Sequence, residues 1–144
     1  MLDGSKGISI SEALILAQEH YDEKTFAHAM RVAAYVAKDK SIPTECRQDA
    51  VALAMMHDLV EDTSYQYEGL EFGFKTALML LTKDSEQSYV DYCKKIKESV
   101  YRCGDAGCIA RWVKIADMKD HLSLKDTLTD KKKAKYLEGL AELL

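Results

Sequence analysis

Apolar residues recur every three or four positions along most of this chain, the period of helices that bury one face. Ser9-Ile10-Ser11-Glu12 reads as a capping box, with the serine hydroxyl taking an orphan amide and Glu12 reaching back, ahead of an apolar stretch to about His20. Phe26, Met30, Ala33 and Ala37 predict a second helix over 24–38, which must end before Pro43. Thr44 is placed to cap a third over 45–60, with Val51, Met55, Met56 and Leu59 inward and polar Glu61-Asp62-Thr63-Ser64 closing it. Segments 70–81, 86–100, 109–122 and 130–143 repeat the pattern, with breaks at Asp84-Ser85, Gly104–Gly107 and Thr127–Asp130. The pattern predicts about seven helices.

Composition sharpens this picture. One proline and seven glycines leave few places where helix must stop, so the expectation is an all-α helical bundle, a single domain over 1–144. Hydrophobic residues at 47% and charged residues at 31% describe a globular chain with a real core. Twenty basic against 24 acidic residues give a net charge of −4, which argues against long nucleic acid as a partner. An anionic substrate would have to be met by a local cluster or a metal. The first ten residues lack the basic start and apolar run of a secretory signal, and no apolar stretch approaches the roughly 18 residues of a membrane span. The chain therefore reads as cytoplasmic, with no membrane partner. Cys46, Cys93, Cys103 and Cys108 form no pair at two-residue spacing and read as reduced thiols.

The chemistry gathers at His57-Asp58, where Glu61 and Asp62 follow one helical turn later. Carboxylates so close on an apolar helix end repel one another unless water, a proton or a cation intervenes. Two further candidates lie in apolar surroundings: His28, between Ala27 and Ala29, and Asp117, closing Trp112-Val113-Lys114-Ile115-Ala116. A buried aspartate needs a partner. His28, His57, Asp58 and Asp117 make a two-nitrogen, two-oxygen set that suits Mn, Fe or Zn better than Mg or Ca and leaves coordination positions for water or substrate.

A histidine, then a His-Asp pair, then a distant aspartate resembles the HD-domain metal-dependent phosphohydrolases. Within them, Ala54-Met55-Met56-His57-Asp58-Leu59-Val60-Glu61-Asp62-Thr63 and Val113-Lys114-Ile115-Ala116-Asp117 look like the hydrolase domain of RelA/SpoT-type enzymes and small alarmone hydrolases. The resemblance covers about 11–140 and includes Phe72-Gly73 and Leu81-Thr82-Lys83. It implies that His28, His57, Asp58 and Asp117 hold a divalent metal, usually manganese, and that Glu61 and Asp62 orient and activate the attacking water. It further implies hydrolysis of the 3'-pyrophosphate of guanosine tetra- and pentaphosphate, a reaction of the stringent response. Where that family has Asn after the last aspartate this chain has His121, and the basic residue just after that aspartate is replaced by Met118. The family's basic loop before the first histidine is short here, with Lys24 its only cation.

The expected function is thus metal-dependent hydrolysis of a nucleotide phosphoester or pyrophosphoester, with His121, Lys24 and Arg31, one turn after His28, as substrate contacts. Two alternatives stand beside it. One is a nucleotidase or phosphatase acting on a deoxynucleoside monophosphate or a nicotinamide cofactor phosphate, which the short loop favours. The other is an HD module that senses a nucleotide without turning it over. Trp112, Tyr89, Tyr92 and Tyr101 read as core and edge packing, and Lys83, Arg111, Lys114 and the run Lys131-Lys132-Lys133 as solvated or snorkelling cations.

Overall fold

A computed structural model describes residues 8–62 and 69–144, and of Asp62 only the backbone. These residues are all-helical, with seven helices of at least nine residues and one single-turn helix. In chain order they are α1 Ile10–His20, α2 Glu23–Lys38, α3 Thr44–Met56, the short α4 Leu59–Asp62, α5 Phe72–Leu80, α6 Tyr89–Arg102, α7 Asp105–Ser123 and α8 Asp130–Leu143. No helix among the described residues is long and apolar enough to cross a membrane.

Local chemistry sets most helix starts. Ser9 and Glu12 close the expected capping box, and Asp22, Ser88 and Thr129 each accept the amide three residues on. Glu71 accepts from both Gly73 and Phe74 to open α5. Thr44 does not cap α3, contrary to expectation. It is the first helical residue, Pro43 occupies the cap, and no side chain bonds there.

Helix α7 is the axis of the bundle, packing against α2, α3, α5, α6 and α8. It begins at Asp105, four residues earlier than its apolar pattern suggests, immediately after Gly104 turns the chain with φ of 56°. Gly107 is therefore no break. It lies in the first turn of α7, where an added Cβ would stand 2.1 Å from the Ser99 carbonyl oxygen, so only glycine lets α7 approach α6 this closely. Around this axis Leu53, Met56, Leu59, Leu78, Ile96, Val113 and Met118 are fully buried.

The sequence pattern runs helix straight through His57-Asp58 to Val60, but the structure interrupts it. In a continuous helix the Asp58 amide would donate to the Ala54 carbonyl. That carbonyl instead accepts from His57 Nδ1 at 2.6 Å, and the Asp58 amide donates to the Tyr21 hydroxyl at 3.1 Å. The ladder opens and turns His57 and Asp58 toward α2 and α7. Thr63 and Ser64, expected to close this segment, lie outside the described residues.

Candidate metal centre

Four side chains from three places in the chain meet in the bundle. His28 comes from α2, His57 and Asp58 from the break after α3, and Asp117 from the middle of α7. One ligand atom from each lies within 4.8 Å of all the others, so the four could hold a metal ion. His28 Nε2 is 2.8 Å and His57 Nε2 3.0 Å from the same oxygen, Asp117 Oδ1. Asp58 Oδ2 stands 3.2 Å from His57 Nε2 and 3.8 Å from His28 Nε2. His28, His57 and Asp117 are buried, while the Asp58 side chain keeps 21% of its exposure, which leaves the centre open on one side.

The far sides of these residues are fixed. His57 Nδ1–H donates to the Ala54 carbonyl, which turns Nε2 toward Asp117 and Asp58. His28 Nδ1 is 2.6 Å from Asp120 Oδ2, and Arg31 grips that fully buried carboxylate with two nitrogens at 2.8 and 3.0 Å. Asp117 Oδ2 accepts from the buried ammonium of Lys114 at 2.8 Å. Imidazoles held at Nδ1 by oxygen acceptors, with Nε2 turned to a carboxylate oxygen, give the cluster the outer hydrogen bonds that orient histidine ligands where a metal is bound.

Electrostatics follow this wiring. Burial disfavours a charged His57, but Asp58 and Asp117 more than reverse this and raise its pKa to about 9. His28 also moves up, against burial, because Asp117 and Asp120 stabilise its cation. Burial opposes ionisation of Asp117 as well, yet Lys114 and three histidines hold it well below the usual carboxylate range. Lys114 is raised correspondingly by Asp117 despite its burial.

Two clefts open on the centre. The larger, about 330 Å³, is lined by Lys24, Thr25, His28, Arg31, Asp58 and Lys132 among others. The smaller, about 170 Å³, is lined by Glu61, Lys83, Tyr89, Lys114, Asp117 and Lys135 among others. Asp58, His121 and Tyr136 belong to both. The His121 ring stacks on Tyr136 with centroids 4.6 Å apart, and its Nε2 is 3.4 Å from Asp117 Oδ1.

The structure thus gathers the four expected ligands and places His121, Lys24 and Arg31 around the larger cleft. Arg31 is not free for substrate alone, because Asp120 engages its guanidinium. Glu61 lies in the smaller cleft and accepts from the Lys83 amide. The side chain of Asp62 is outside the described part. Three expectations need correction, the first being Tyr101, which is 86% exposed rather than packed. Lys114 is not solvated: it is buried beside Asp117, with Tyr89 and Tyr92 rings 5.4 and 5.0 Å away. Arg111 donates to the Leu143 carbonyl at 2.6 Å and ties down the end of α8. Asp120 had no signal in composition, but its three-residue spacing from Asp117, itself three beyond Lys114, puts all three along one side of α7.

No protein-family model, curated protein or solved structure matches this chain.

Proposed function

We propose that the chain is a divalent-metal-dependent phosphohydrolase acting on a nucleotide phosphoester or pyrophosphoester, with manganese the favoured ion and guanosine tetraphosphate the leading substrate. One observation carries the reading: four nitrogen and oxygen donors converge where two lysine-bearing clefts meet. His28, His57, Asp58 and Asp117 hold the ion. When bound, it supplies Lewis acidity, offsetting charge on the phosphoryl oxygens and lowering the pKa of the attacking water.

The chain's residues do the rest. Asp120 and Ala54 keep both Nε2 atoms presented, and Lys114 neutralises the Asp117 oxygen that faces away from the histidines. The water oxygen bonds to phosphorus as the ester oxygen leaves. Glu61, in the smaller cleft beside Asp58, takes the water proton, with Asp62 assigned to the same task by the family resemblance. A proton from solvent completes the leaving oxygen. Lys24, Arg31 and His121 bind the nucleotide in the larger cleft, and the net charge of −4 favours a small nucleotide over a nucleic acid.

Nucleotidase activity is the second reading, supported by the few free cations in the larger cleft, where Asp120 already engages Arg31. Purified protein with Mn, offered guanosine tetraphosphate beside nucleoside monophosphates and a nicotinamide cofactor phosphate, separates the two. The first reading expects pyrophosphate release from the tetraphosphate, the second orthophosphate from another ester. Nucleotide binding with no hydrolysis of any substrate would leave only a sensing module.

A further inference from the structure

The smaller cleft contains a group that the centre does not use. The Tyr89 hydroxyl is buried with no hydrogen-bond partner, alone in this respect among the described side chains. Such groups are rare, and leaving one unsatisfied costs about 1–3 kcal/mol. Its neighbour Tyr92 is not in this position, since its hydroxyl donates to the Leu81 carbonyl at 2.7 Å.

Two ammonium groups approach the Tyr89 ring, Lys135 Nζ at 4.6 Å and Lys114 Nζ at 5.4 Å from its centroid. Lys114 is neutralised by Asp117, but Lys135 has no carboxylate within ion-pair distance among the described residues. Burial and the charges of Lys114, Lys83 and Lys132 lower the pKa of Lys135, which marks a local excess of positive charge. Asp58, Glu61 and Asp117 line the same cleft, Asp117 offset by Lys114 and Asp58 turned to the histidines, so the unpartnered hydroxyl of Tyr89 and the unpaired ammonium of Lys135 are complementary to a compact oxyanion.

Resting on the phosphohydrolase reading, we propose that the pocket of Tyr89, Lys135, Lys114 and Lys83 binds the terminal phosphoryl group of the substrate and retains it as the inorganic product. The larger cleft then takes the organic part. Tyr89 donates its hydroxyl and Lys135 its ammonium to phosphoryl oxygens, and an anion there supplies the partner each lacks.

The test measures the affinity of the Mn-loaded protein for orthophosphate and, separately, for pyrophosphate, by calorimetry and as product inhibition. Tyr89→Phe removes one oxygen and keeps the ring that packs against the core, and Lys135→Ala removes one charge from the surface of α8. Each is expected to weaken the better-bound anion about tenfold, the scale of a lost hydrogen bond to a charged group. Lys119→Ala, an equal charge change in the separate groove beside Trp112, is expected to change it less than twofold. Whichever anion binds more tightly identifies the phosphoryl group released. Affinities within twofold of wild type in both pocket variants, or no binding of either anion to wild type, overturn the pocket. If hydrolysis persists in that case, the phosphohydrolase reading survives. If the variants lose the anion while no ester is hydrolysed, the pocket stands and that reading falls.

Discussion

His28 and Asp120 are 92 positions apart and meet at 2.6 Å, imidazole Nδ1 to carboxylate Oδ2, with Arg31 closing the back of the same carboxylate. The contact fixes the ring's orientation and tautomer, and removing support of this kind typically costs about 10–100-fold in metal affinity. Asp120→Asn keeps the shape but loses the charge. It is expected to weaken Mn binding by at least about tenfold in a chelator competition while the helical circular dichroism is unchanged. Unaltered affinity would make the contact purely architectural.

Lys114 and Asp117 are a buried pair, and removing one partner of such a pair costs about 3–5 kcal/mol. Lys114→Met is expected to destabilise chelator-treated protein by about 3 kcal/mol in urea unfolding. Added Mn should shrink that loss, because the cation takes over the task of neutralising Asp117. An equal loss with and without Mn would show that the ion does not reach this carboxylate.

The pH dependence has a definite sign. In chelator-treated protein the folded-state pKa of His57 is raised from 6.5 to about 9, so its contacts with Asp58 and Asp117 stabilise the fold fully below about pH 6.5. That contribution is lost as pH climbs through about 9. The melting temperature is therefore expected to fall across this window, and the slope to flatten with Mn, which replaces the proton. Melting that rises with pH over the same range would contradict the assignment.

Much of this architecture can be read from local pattern. The Ser9–Glu12 capping box and the 130–143 helix follow from spacing that neighbours in sequence enforce, and His28 and Asp117 stand out as polar residues in apolar stretches. What escapes the pattern depends on residues far apart in the chain. The break at His57 needs Tyr21 to take the Asp58 amide, 37 positions away. The burial of Lys114 depends on α6 supplying Tyr89 and Tyr92. Without that contact a lysine in an apolar stretch reads as a snorkelling cation.

Gly107 shows the same limit from the packing side. A glycine before an apolar run looks like punctuation, yet the Ser99 backbone lies where a methyl group would go. Gly107→Ala is expected to cost about 3 kcal/mol, the upper end for overpacking, since a backbone carbonyl cannot swing aside like a side chain. Thermal unfolding measures it directly. A neutral result would mean that α6 and α7 separate without penalty.

The central claim is that His28, His57, Asp58 and Asp117 form one metal centre, and the most direct measurement is titration of Mn into wild-type protein and the Asp117→Asn variant, followed by electron paramagnetic resonance. The account predicts that wild type takes up one ion per chain and that the variant, still folded, takes up none at the same concentration. Equal uptake by both, or none by either, would contradict it.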